Sequence, residues 1–298
     1  MKKLFCAAAC FCGMIFLCQG NTVDHYKTNP WKLIEAKKLD EAIVVFDLRI
    51  MDPKCSDAMK LQAINGSLGV FSRTGKRDKA IELLDKYLAN KELEKFHPVI
   101  MAHKGRHLHA MKKFPEAIAT LKQAAELSKG TPEQLTVLYY AFNTGATVYA
   151  LQKEMPYFVD CALANPHLDK DLNMLIMASE TCWRINRHDD GLALARRAEK
   201  AATAPNVNVY RVLGYHLRGT QEFEKAEQAF LKAIEICKSE GDKATLYRNI
   251  GENWERAEEY EKAIPYFQKA ADCPVKGWWT KSAADSVKRL QKKIANGE

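Results

Sequence analysis

Four histidines fall within thirteen positions: His97, His103, His107 and His109. His103 and His107 stand four residues apart, which on a helix places both rings on one side at a spacing that chelates zinc. The helical metalloprotease pattern requires Glu directly after the first His, but Lys104 stands there and no third ligand is evident. The cluster therefore reads as the polar face of a surface helix, and no metal is expected. Other chemistries lack their signatures as well. The chain has no GxSxG elbow, no phosphate-binding loop and no dinucleotide-binding glycine turn, and Gly66-Ser-Leu-Gly69 lies inside a helical pattern. Carboxylates are frequent, but they sit among Lys and Arg in Ala-Glu-rich stretches, as solvated partners three or four residues apart do. The expectation is no enzyme and no cofactor.

The elements that carry these residues recur. The tetrapeptides Leu39-Asp-Glu-Ala42, Arg77-Asp-Lys-Ala80, Phe114-Pro-Glu-Ala117, His188-Asp-Asp-Gly191, Phe223-Glu-Lys-Ala226 and Tyr260-Glu-Lys-Ala263 repeat along the chain, with a degenerate copy near Tyr157. Ala42 and Ala263 are 221 residues apart over six steps, about 37 per step. Each tetrapeptide opens an amphipathic helix. Phe223, Ala226, Phe230 and Ala233 fall on one helical face, and Tyr260, Ala263, Phe267 and Ala270 repeat the spacing. A second helical pattern precedes each: Tyr210-x-x-Leu213-Gly214-x-x-Leu217 and Tyr247-x-x-Ile250-Gly251-x-x-Trp254. The glycine is expected to let two backbones approach, with the Ala of the second helix against it.

An aromatic, Leu-Gly, a large residue and then Ala-x-x-x-Phe-x-x-Ala resembles the tetratricopeptide repeat family, most clearly over 98–131, 207–240 and 244–275. The resemblance spans roughly 29–275 and implies an all-α, right-handed superhelical solenoid of about seven antiparallel helix pairs. A capping helix over 278–295 follows, with Ala283, Val287, Leu290 and Ile294 on one face. Trp278 and Trp279 read either as aromatics packed under that cap or as ligand or membrane anchors. No linker interrupts the array, so 21–298 reads as one domain. Such folds bind partners in the groove lined by first helices. The matching groove positions are Arg211, Tyr215 and Arg218, then Arg248, Glu252 and Glu255, with Tyr139, Phe142, Tyr149, Trp183 and Arg184 in the divergent copies. Rigid aromatics with Arg suit an extended acidic or aromatic peptide.

The N-terminus reads separately. Lys2 and Lys3, an apolar run from Leu4 to Cys18, and small residues at Cys18 and Gly20 form a secretory signal with cleavage after Gly20. Four of nine Cys leave with it, so Cys55, Cys161, Cys182, Cys237 and Cys273 cannot all be paired. Cys161 and Cys182 fall on neighbouring helices, where a disulfide is compatible with an oxidising compartment. The net charge of +8 falls to +6 without Lys2 and Lys3, and six Lys or Arg against two acids crowd into 276–298. A near-neutral array with a basic end is not the footprint of a nucleic-acid binder. The expected protein is an exported, periplasmic or secreted non-catalytic scaffold for a protein or peptide partner, with membrane contact only through a lipid anchor or uncleaved signal. The alternatives are a lipid-anchored envelope assembly factor and a divergent metal-binding or hydrolytic protein built on His97–His109.

Overall fold

The computed structural model describes residues 24–275 and 277–297; the side chains of Ser72, Arg73, Thr147, Tyr149 and Ala150 lie outside that description. The expected signal, residues 1–20, lies outside the described residues. The described residues form α-helices and short 3-10 turns, and they divide into two compact units that meet in sequence between Phe96 and His97. The first unit holds α1 (Pro30–Glu35), α2 (Leu39–Met51), α3 (Asp57–Thr74) and α4 (Arg77–Leu88). The second holds α5 (His97–Ala110), α6 (Phe114–Leu127), α7 (Glu133–Thr147), α8 (Met155–Ala164), α9 (Leu172–Arg184) and α10 (His188–Ala201), then α11 (Val207–Gly219), α12 (Phe223–Ile236), α13 (Glu240–Arg256), α14 (Tyr260–Ala271) and α15 (Trp278–Ala295). These are seven helix pairs and a terminal helix, as the repeat implied. All six tetrapeptides open a helix: Leu39, Arg77, Phe114, His188, Phe223 and Tyr260 are first residues of α2, α4, α6, α10, α12 and α14.

What stops each first helix is the same backbone device. Lys37, Lys112, Asn186, Gln221 and Glu258 all adopt φ near +60°, two residues before the next helix, and Gly75 takes the place at +70°. The following residue turns its N–H back five residues: Lys38 to the Leu33 carbonyl, Lys113 to Leu108, Arg187 to Cys182, Glu222 to Leu217 and Glu259 to Trp254, at 2.8–2.9 Å. That is a Schellman closure, which satisfies a helix-end carbonyl and reverses the chain in two residues. The α7–α8 junction departs from it. A 3-10 stretch, Tyr149–Glu154, intervenes, and this is the copy whose sequence signature had faded.

Packing within a pair centres on the first helix's glycine, but the residue covering it is not the expected Ala. A Cβ on Gly214 would lie 2.5 Å from Phe230, one on Gly251 2.8 Å from Phe267, and one on Gly105 2.6 Å from Leu121. The large residue four positions after the Ala drops its side chain onto the bare backbone, and the Ala only keeps the helices close. Phe230 and Phe267 are 0% and 1% exposed, so each buries about 2–3 kcal/mol worth of apolar surface. Gly191 stands where other tetrapeptides have Ala because the His216 ring occupies that space, 2.0 Å from a notional Cβ.

Helix α15 closes the second unit with Ala283, Val287 and Leu290 buried, while Ile294 is 37% exposed on its last turn. Trp278 corrects one expectation: it is 66% exposed rather than packed beneath the helix. Trp279 is half-buried beside Gly277 and Gly241. The charged residues also depart from expectation. Apart from several pairs three or four residues apart, the ion pairs tie different elements together, as in Lys86–Asp47 at 3.1 Å, Lys122–Glu154 at 2.7 Å and Arg187–Asp160 at 2.6 Å.

Candidate binding face

Three first helices, α9, α11 and α13, together with α15, bring most of the groove candidates into one continuous ladder. The Trp183 and Tyr215 rings stack at 5.3 Å with 21° between planes. The Arg218 guanidinium lies 5.0 Å from the Trp183 centroid and 5.6 Å from Tyr215. Arg218 Nη1 donates to Glu252 Oε2 at 3.1 Å and reaches the Asn249 carbonyl at 3.4 Å. Arg248 Nη1 forms an ion pair with the other oxygen of Glu252 at 2.9 Å, and its guanidinium lies 4.9 Å over the Trp278 ring. Asn249 Nδ2 donates to the Tyr215 hydroxyl at 3.2 Å, and Arg211 pairs with Glu180 while lying 5.9 Å from the Tyr215 centroid.

Spacing along the chain explains the assembly. Glu180 and Arg211, Tyr215 and Asn249, Arg218 and Glu252 are each 31–34 residues apart, one repeat, so equivalent faces of successive first helices meet. The electrostatics differ from an open basic groove. Arg218 is 7% exposed, and burial pulls its guanidinium below the ordinary arginine range while Glu252 opposes that. Arg218 and Arg248 share one carboxylate and Arg211 has another, so the arginines order aromatic rings more than they offer unmatched charge. Trp183, Tyr215, Arg211 and Arg248 are half-buried, and Arg184 is exposed.

The remaining candidates lie elsewhere. Tyr139 is 46% exposed and meets Tyr140 edge-on at 5.4 Å, in a group with His103 and Arg106 on α5 and α7. Phe142 is 1% exposed in the core, where nothing on the surface can reach it. The side chain of Tyr149 is outside the described residues. Glu255 pairs with Arg289 of α15, tying the terminal helix to α13.

The histidines are not on a solvated face. His103 and His107 are 4% and 0% exposed, and burial pushes the His103 imidazole down to about 3. His216, missed from the sequence, is buried between helices. Its Nε2 meets the Ser179 carbonyl at 2.9 Å, its ring lies 5.8 Å from His188, and burial lowers it to about 4. Gly191, the one tetrapeptide lacking Ala, was the signal that could have found it. Cys161 and Cys182 both carry free thiols, and burial drives Cys182 up to about 12. A cleft of about 220 Å³ at the α10–α11 loop, lined by Glu199, Pro205 and Tyr210 among others, includes none of the ladder residues. Among the described residues, no helix is long and apolar enough to cross a membrane.

Repeated helix pairs with a shared lateral face define a helical repeat protein. Residues 206–273, helices α11–α14, match the tetratricopeptide repeat family model. No curated protein matches the chain. Among solved structures, a MamA protein is 18% identical over 68% of this chain and 97% of its own, with a TM-score of 0.46. YrrB, described as a TPR protein with an unusual peptide-binding site, is 18% identical over 65% of this chain and 96% of its own, also at 0.46.

Proposed function

We propose that the protein is a non-catalytic, exported scaffold that binds a protein or extended peptide along the face of α9, α11 and α13. The observation that supports this reading most is the Trp183–Tyr215–Arg218 stack, a pre-ordered aromatic surface whose two rings are half-buried. Pre-ordered aromatic and Arg side chains lose little entropy on binding and are the types enriched at interaction hot spots. With the arginine charges already matched, the face favours an occupant that offers aromatic or planar groups over a purely acidic tail. Export rests on the N-terminal signal pattern, and one domain over 21–298 belongs to the same proposal.

Selection of a displayed random-peptide library against the full chain tests the binding reading. Selected peptides should carry aromatic residues and lose binding to Trp183→Ala and Tyr215→Ala, while Tyr139→Ala leaves it intact. Peptides indifferent to both ladder variants would move the site elsewhere. Mass spectrometry of the protein recovered from its native cell tests export, with a free Asn21 amine as the expected N-terminus. A lipid on an N-terminal cysteine would replace the soluble scaffold with the anchored one.

A further inference from the structure

The first unit brings together three side chains of different chemistry that the binding face does not use. His25, Asp52 and Cys55 offer one imidazole nitrogen, one carboxylate oxygen and one sulfur, all within 4.8 Å of one another. His25 Nε2 meets Asp52 Oδ2 at 2.9 Å, and the Tyr26 hydroxyl donates to the same oxygen at 2.5 Å. Four donors around zinc at 2.0–2.3 Å sit about 3.3–3.8 Å from one another, so this set needs only small side-chain rotations to close on an ion.

The backbone holds these groups in place without an ion. Arg49 of α2 donates through Nε to the His25 carbonyl at 3.0 Å and through Nη2 to the Thr28 carbonyl at 2.9 Å, pinning the 24–28 turn. Asp52 accepts the Lys54 N–H at 2.8 Å, and the Cys55 N–H bonds the Asp52 carbonyl at 3.1 Å, which fixes the turn between α2 and α3. Cys55 is 5% exposed, whereas the His25 and Asp52 side chains are 18% and 16% exposed. The sulfur therefore forms the floor, and the other two donors the rim, of a site with an entrance.

We propose that His25, Asp52 and Cys55 form a binding site for a zinc-class divalent transition metal ion, with water as fourth ligand. Thiolate and imidazole together select zinc-like ions over magnesium or calcium, which prefer all-oxygen sets. Binding expels the Cys55 thiol proton, turns His25 Nε2 from a hydrogen-bond partner of Asp52 into a ligand, and leaves Tyr26 to orient the carboxylate. The ion would clamp the segment preceding α1 to the α2–α3 turn.

Reduced, chelator-stripped full-length protein titrated with Co²⁺ tests the site. The expected result is one ion per chain, with a thiolate-to-cobalt charge-transfer band that Zn²⁺ displaces and Mg²⁺ does not. Cys55→Ser should abolish the band, His25→Ala should weaken binding by at least about tenfold, and Cys237→Ser should change neither. His25 lies on a turn outside the helices, so His25→Ala is expected to keep the native circular dichroism even where Cys55→Ser does not. No band with wild-type protein, or full affinity in a folded His25→Ala, overturns the proposal.

Discussion

The Arg218–Glu252 pair offers a sharp test of how the ladder is held. Glu252→Gln keeps the side-chain shape and one acceptor but removes the charge facing a guanidinium that is 7% exposed. Unit charges about 4 Å apart at an effective dielectric near 20 interact by about 4 kcal/mol. Glu252 is itself about a third exposed, the glutamine oxygen still accepts a hydrogen bond, and the Asn249 carbonyl remains at 3.4 Å. Together these halve the loss, to about 2 kcal/mol. The neighbouring Glu255–Arg289 pair is the control. Its arginine is 49% exposed, so Glu255→Gln should cost less than about 1 kcal/mol. Urea unfolding followed by tryptophan fluorescence reads both, with midpoints compared at constant slope because a repeat array need not unfold in one step. Adding Arg218→Met to Glu252→Gln should recover part of the loss, since no unmatched charge then stays buried. Equal costs for the two glutamine variants, or no recovery in the double variant, would refute the view that a shielded charge pair organises this face.

Other outcomes follow from the same packing. The folded His216 titrates near 4 against 6.5 when unfolded, so the unfolded chain takes up the proton first as pH falls. Stability present above pH 6.5 should drop by about 3 kcal/mol on acidification to 4, and His216→Gln should flatten melting temperature across that window. A His216→Gln protein with an unchanged acid slope sinks the assignment. Gly214→Ala drives a Cβ to 2.5 Å from a fully buried Phe230 and should cost about 1–2 kcal/mol after the helix-propensity gain, whereas Gly69→Ala, with open space around it, should gain about 0.5–1. At the left-handed turns, Gly75→Ala should lose about 1 kcal/mol and Gln221→Gly should gain up to about that much in chemical denaturation. Neutral effects at both positions would mean the turns carry no strain.

The repeat was legible because its signal is local. Phe223-x-x-Ala226 announces a helix face from side-chain spacing alone, and each tetrapeptide marked a helix start. What crosses between helices was not legible. Nothing near Arg218 in sequence points to Glu252 thirty-four residues on, and the matched charges became visible only once successive first helices were side by side. His103 and His107 read as surface because i, i+4 polar spacing is the same whether that stripe meets solvent or another helix. His25 and Asp52 are 27 residues apart, far beyond any ligand spacing a motif would flag, and meet because Arg49 anchors the first turn. Trp278 read either as packed under the cap or as an anchor, because spacing alone cannot tell an aromatic that meets the core from one whose exposed ring lies under a guanidinium.

The left-handed closure between paired helices bears on how such a chain can change length. Lys, Asn, Gln, Glu and Gly all occupy its positive-φ position, so the junction accepts several unbranched residue types at the cost of some strain. A pair that ends and begins in an interchangeable way can be copied, dropped or spliced without inventing a new loop. The constraint on growth then falls on the lateral faces: a first helix inserted between α11 and α13, for example, must supply both an acid for Arg218 behind it and an arginine for Glu252 ahead.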